Sequence, residues 1–172
     1  MKIKVIEAKT GYGKTTYIQS ELLRGKRKTL CLGFYEEYKN ISKRLTGTYL
    51  DTDKMIKNYI FDFMNDDKEY LFINLDAESS EDLVILLNDI IELISENIGD
   101  SNFDLVIDHI DRFVSNSNDV RLICDNLFRK ANKLEKLNIS LATFEMNHVS
   151  LIQDVFPRSM NIREYIYGNM NM

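Results

Sequence analysis

At 172 residues and 20.2 kDa the chain has the length of one domain, and 44% hydrophobic residues, 28% charged residues and a single Pro exclude disorder and Pro/Gly-rich fibres. Two cysteines, Cys31 and Cys124, are too few for a disulfide framework or a zinc cluster, and no apolar run nears the ~18 residues of a membrane span. The net charge of −5 is uneven: residues 1–45 carry 11 Lys/Arg against 4 acids (+7), residues 46–111 carry 3 against 17 (−14), and residues 112–172 carry 8 against 6 (+2). An acidic total argues against a dedicated nucleic-acid binder. Phosphate chemistry then belongs to the N-terminal third, and the acidic middle reads as a solvated face. The start of the chain alternates charge and aliphatic side chains too early for a signal peptide, so a cytoplasmic protein with reduced thiols is expected.

In chain order, the pattern predicts a strand over 2–7 and a helix over 14–23, then a strand over 28–34 and a helix over 36–45. A helix follows over 52–65, and a short strand over 70–75. The helix over 79–97 opens on a capping-box-like Ser79-x-x-Asp82 and ends at Gly99. A strand over 103–108, a helix over 119–137 and a strand over 139–144 come next, with a last strand over 162–167. No repeat or linker divides residues 1–172, so one domain is expected. Alternating strands and helices with near-continuous apolar strands predict an α/β fold, a doubly wound and mainly parallel sheet with helices on both faces.

Between the first strand and the first helix lies Ala8-Lys9-Thr10-Gly11-Tyr12-Gly13-Lys14-Thr15, followed by Thr16. It matches the phosphate-binding loop G-x-x-x-x-G-K-[ST], with Ala in place of the first Gly. Gly11 and Gly13 let backbone N–H groups turn inward around phosphate oxygens. Lys14 would neutralise the outer phosphates of ATP, and the Thr15 hydroxyl would bind Mg²⁺. Lys9, Thr10, Tyr12 and Thr16 complete the predicted nucleotide-binding set. Such a site needs a carboxylate at the end of a neighbouring strand to hold the metal, and Asp108, closing an apolar run from Phe103, fits that Walker B role.

With these motifs in order, the sequence resembles the RecA-type ATPase core, most of all the ATPase domain of DnaB-like replicative helicases and KaiC-like proteins. The stretch from Leu30 to Glu37 resembles their second strand, which ends in a catalytic Glu. Arg44-Leu45-Thr46-Gly47 followed by Leu50-Asp51-Thr52-Asp53 resembles a helicase segment, and Asp108-His109-Ile110 sits where helicases carry Asp-Tyr-Leu. The resemblance implies ATP and Mg²⁺ as cofactors, with Glu36 or Glu37 as general base and Thr143 as a sensor near the γ-phosphate. It implies a DNA-replication-like role as an oligomer, with single-stranded DNA or a protein as partner. Loops near 109–119 and 145–160 would line the DNA channel, with Arg112, His148 and Arg158 as their basic or part-basic groups. An in-trans arginine finger would be Arg158 or Arg163, although an ordinary surface Arg is the favoured reading of either.

The resemblance has departures. Phe144 follows Thr143 where helicases have Gln, and the chain starts at the first strand, without the family's N-terminal domain. An ATP-binding switch without efficient hydrolysis is therefore an alternative. A nucleotide kinase is another, since the run from Glu7 to Thr16 and the run from Asp111 to Ser115 resemble thymidylate-kinase motifs. Residues 46–111, however, contain no Arg for an acceptor site. His109 and His148 lack a second ligand at metal spacing. The Met-rich stretch from Met160 to Met172 reads as a frayed end.

Overall fold

A computed structural model of the chain describes residues 1–7, 13–22, 27–33, 38, 48–50, 56–74, 79–144, 146–156 and 161–165. The elements are β1 (Lys2–Glu7), α1 (Lys14–Tyr17, continued by a π-helical turn over Ile18–Leu22), β2 (Lys28–Gly33) and β3 (Thr48–Leu50). Next come α2 (Ile56–Asn65), β4 (Tyr70–Asn74), α3 (Ser80–Asn97), β5 (Phe103–Ile107) and a 3₁₀ turn (Ile110–Arg112). The last are α4 (Ser117–Ala131), β6 (Leu137–Thr143), α5 (Met146–Val155) and β7 (Asn161–Tyr165).

The strands form one seven-stranded sheet in the order β3-β4-β2-β5-β6-β1-β7. Every neighbouring pair is parallel. Alternate strand residues feed two apolar layers. Leu30, Leu32, Leu105, Ile107, Ile139 and Leu141 point to the face covered by α2 to α5, where Leu87 and Ile90 of α3 and Ile123 and Leu127 of α4 are fully buried. Ile6, Cys31, Val106 and Ala142 point to the opposite face, against Ile18 and Tyr38. Burial on both faces is why these strands read as nearly unbroken apolar runs. The fold is α/β with helices on both sides of a parallel sheet.

Helix ends follow local chemistry. The Ser79 hydroxyl oxygen accepts from the Asp82 N–H, as the capping-box pattern predicts. Asn116 caps α4 in the same way, accepting from the N–H groups of Asn118 and Asp119.

Two expectations need correction. The helix predicted over 119–137 runs over Ser117–Ala131, and Leu137 begins β6 opposite Phe103. A turn intervenes, in which the Leu134 N–H donates to Ala131 and the Leu137 N–H to Leu134. The segment expected as a channel loop over 145–160 contains α5. Val149, Ile152 and Phe156, at i, i+3 and i+7, are buried in the core, so the apolar stripe rather than solvent determines its conformation. Among the described residues, no helix is long and apolar enough to cross a membrane.

The pairing register brings the C-terminal ends of the central strands to one edge. Glu7 stands opposite Thr143, and Leu32 opposite Ile107. The chain leaves β2 toward the β3–β4 side and leaves β5 toward β6. The crevice between β2 and β5 is thus a point where strand order reverses, the usual ligand position in open parallel sheets.

Candidate functional site

Gly13 precedes α1 with φ 83° and ψ 28°, in the left-handed region where a side chain is strained. Its carbonyl accepts from the Tyr17 N–H at 2.8 Å, which starts the helix and turns Lys14 and Thr15 toward the sheet edge. Lys14 is 4% exposed, and its ammonium lies 5.5 Å from the centre of the Phe144 ring. Burial lowers the Lys14 pKa, opposed by the nearby carboxylates of Asp108 and Asp111.

Asp108 follows β5, and its N–H continues the ladder by donating to Leu32 at 2.9 Å. The side chain is fully buried. Its Oδ2 accepts from the Tyr38 hydroxyl at 2.8 Å and from the Thr15 hydroxyl at 3.4 Å. Among the described residues, its Oδ1 is buried with no hydrogen-bond partner. Burial raises the Asp108 pKa, while His109, Tyr38, Lys14 and Thr15 pull it down. A buried carboxylate oxygen without a donor costs roughly 1–3 kcal/mol or more, so it calls for an explanation, and a cation is the natural one.

The next residue, His109, is the one non-Gly residue with positive φ among those described, at φ 58°. Strained backbone of this kind costs about 1–3 kcal/mol and clusters at functional sites. Burial lowers the His109 pKa, and the Asp108 carboxylate opposes it.

Asp111, on the 3₁₀ turn, gathers three donors. Oδ1 accepts from the Thr143 hydroxyl and lies 2.9 Å from Nδ1 of His148, while Oδ2 accepts from the Phe144 N–H at 2.9 Å. Its side chain is 1% exposed and that of His148 14%. One carboxylate therefore joins the turn after β5, the tip of β6 and helix α5.

No protein-family model matches the chain, and no curated protein matches it in sequence. Solved structures do. B204, described as the DNA-packaging ATPase of Sulfolobus turreted icosahedral virus, superposes with a TM-score of 0.60 at 13% identity, over 89% of this chain and 71% of that one. The genome-packaging NTPase B204 of Sulfolobus turreted icosahedral virus 2, solved with ATP-gammaS, gives 0.54 at 16% identity, over 84% and 65%. A DnaB-like replicative helicase solved with its primase interactions gives 0.55 at 14% identity, over 91% of this chain and 42% of the helicase chain. The chain has a RecA-like α/β fold.

In this fold, the sequence-predicted residues divide into two sets. Gly13, Lys14, Thr15, Asp108 and Thr143 lie at the C-terminal edge of the sheet, with Thr16 exposed on α1. Lys9, Thr10, Gly11, Tyr12, Glu36, Glu37 and Arg158 lie outside the described residues. Arg163 is in β7, in register with Val5, and its side chain lies outside the described ones. His148, expected on a channel loop, instead packs against Asp111. Arg112 closes the 3₁₀ turn and is exposed.

Two residues with contacts at this edge were not legible from the sequence as its neighbours. Tyr38 donates to a carboxylate 70 positions away, and no spacing in the sequence announces that contact. Asp111 stands out in the sequence only within the kinase-like run to Ser115. Its position three residues after Asp108 was the available signal, because a tight turn after a strand carries both carboxylates to the same edge.

Among the described residues, no three His, Cys, Asp or Glu side chains converge as a self-sufficient metal centre. Asp108 and Thr15 nonetheless fit Mg²⁺, which typically takes one or two protein ligands and completes its shell with waters and phosphate oxygens. The orphaned Oδ1 of Asp108 is the observation that supports the fit.

Proposed function

We propose that this chain binds Mg-ATP and hydrolyses it as a single-domain P-loop NTPase of the RecA/DnaB-helicase type. The observation that carries the reading is the pairing of Thr15 with the fully buried Asp108, whose second oxygen has no donor. In this reading Lys9 to Thr16 hold the nucleotide, with Lys14 against the β- and γ-phosphates. Asp108 and the Thr15 hydroxyl hold Mg²⁺, which when bound offsets charge on the phosphate oxygens. Glu36 or Glu37 takes the proton of the attacking water. Thr143 stands at the γ-phosphate end.

Work on or beside nucleic acid, in an assembled oligomer or with a protein partner, is the wider part of the proposal. Its support is the likeness to proteins described as a DNA-packaging ATPase and a replicative helicase. A cytoplasmic setting agrees with two buried, free cysteines, Cys31 and Cys124. A second reading, an ATP-binding switch without efficient turnover, is favoured by Phe144 in the place where the helicases carry Gln.

Steady-state ATP turnover with and without single-stranded DNA tests the proposal and separates its parts. Mg-ATP binding that needs Lys14, with turnover, supports the ATPase. Binding without turnover selects the switch. Phosphate transfer to deoxynucleosides selects the kinase. Net charge −5 also predicts weak binding of single-stranded DNA by an isolated chain, with a log–log salt slope near −1.4 for ~2 neutralised phosphates. Tight monomer binding at physiological salt would reveal a basic surface made by the N-terminal third.

A further inference from the structure

We propose that Asp111 is a positioning residue that decides which acceptor the Thr143 hydroxyl serves, and thereby sets how strongly the site prefers a nucleoside triphosphate to a diphosphate. The inference rests on the nucleotide reading above and adds a residue that reading does not use.

The argument is an inventory of protons. A threonine hydroxyl has one proton to donate, and an ionised carboxylate can only accept. Thr143 gives its proton to Oδ1 of Asp111. The neighbouring donor, the Phe144 N–H, goes to Oδ2 of the same group. Both donors at the tip of β6 are therefore committed to Asp111. A γ-phosphate oxygen is also an acceptor, so Thr143 donates to it only by giving up Asp111.

The exchange has a reporter. Asp111 also contacts Nδ1 of His148, a hydrogen bond that places the ring proton on that nitrogen. His148 belongs to α5, which packs on the sheet through Val149 and Ile152. A third phosphate that draws Thr143 away thus changes the set of donors around Asp111, and with it the anchorage of α5. A diphosphate offers Thr143 no such acceptor. Asp111 competes with the γ-phosphate, so its presence lowers the preference for triphosphate.

This fixes the sign of the test. Asp111→Leu keeps approximate size and removes the competing acceptor. It should raise the preference for ATPγS over ADP, read as a ratio of dissociation constants in Mg²⁺ buffer, by about three- to tenfold, the size of one net hydrogen bond. Loss of a negative charge near the phosphates would also favour ATPγS, and the double variant Asp111→Leu/Thr143→Val separates the causes. If the gain runs through the hydroxyl, it disappears in the double variant. An unchanged or reduced preference in Asp111→Leu, or a gain that survives Thr143→Val, overturns the proposal.

Should Asp111→Leu not fold, amide hydrogen exchange on the wild-type protein decides. Saturating ATPγS, but not ADP, should alter exchange at Phe144 and along α5, and equal exchange in both states overturns the proposal. A wild-type protein that binds neither nucleotide overturns the nucleotide reading and this inference together. One that binds both, with Asp111→Leu unchanged in preference, overturns this inference alone.

Discussion

The two ends of the sheet treat charge in opposite ways. At the N-terminal ends of the strands, the charged groups described by hydrogen bonds satisfy one another. Arg27 pairs with Asp104 at 3.2 Å, and Asn138 donates to the same carboxylate at 2.8 Å. These residues, with Lys2, Lys4 and Ser140, line a cleft of about 220 Å³. The Lys28 ammonium donates to the carbonyls of Phe63 and Met64 at 2.6 and 2.9 Å, closing the C-terminal end of α2. At the C-terminal ends, Lys14 and Asp108 are buried, and one oxygen of Asp108 has no donor. At the first end Asp104 and Lys28 find their partners within the protein, while the second carries an electrostatic cost that a bound cation and phosphates can relieve. Chemistry is expected where the protein alone leaves charge uncompensated.

The contrast is broken or sharpened by mutation, beginning with the largest expected effect. Glu36→Gln preserves shape and removes the proposed general base, so turnover should drop by about 10²–10⁴-fold while Mg-ATP binding persists. Normal hydrolysis by Glu36→Gln with collapse in Glu37→Gln would assign the base to Glu37, and normal hydrolysis by both favours the switch. Lys14→Ala comes next. Charge-assisted contacts are worth roughly 1.5–3 kcal/mol, so Mg-ATP affinity should fall tenfold or more. Equal affinity in wild type and variant, measured calorimetrically, removes the P-loop assignment.

Asp108→Asn probes both sides of the contrast at once. Burial raises the pKa of this acid, so its ionised form destabilises the nucleotide-free fold near neutral pH. Removing the charge should raise the melting temperature of the nucleotide-free protein, by about 2–4 °C for each kcal/mol relieved. The same variant should lose the tightening of ATP binding that Mg²⁺ provides. A lower melting temperature would mean that the Tyr38 and Thr15 hydroxyls already compensate the carboxylate. The smallest effect belongs to the balanced end. Arg27→Ala breaks a pair whose Arg side chain is 41% exposed, and should cost about 1 kcal/mol or less without altering nucleotide affinity.

What the sequence disclosed followed the same division. β2, β5 and β6 were legible because burial on both faces leaves them almost wholly apolar. The place of Asp108 at the sheet edge was legible because it ends such a run. The end of α4 was not, since residues beyond Ala131 still contain Leu134 and Leu137 at near-helical spacing, and only pairing with Phe103 assigns Leu137 to a strand. β3, three residues long, is too short to show a period. The contacts of Tyr38 with Asp108 and of Asp111 with Thr143 and His148 join residues 32 to 70 positions apart. Such contacts are products of topology, and local patterning does not encode them.

The placement of β1 has a consequence for how the protein comes to exist during synthesis. Its two neighbours in the sheet are β6 and β7, which begin at Leu137 and Asn161. Of the strands that flank it, none has been made when β1 itself leaves the ribosome. At about 5–20 residues per second, an interval on the order of ten seconds passes before β6 is available. Long-range parallel pairing of this kind is intrinsically slow, and it leaves strand edges open to other chains meanwhile. A nascent chain stalled before Leu137 would carry Lys14 without the β6 tip at Thr143, and so could not assemble the edge proposed to hold nucleotide.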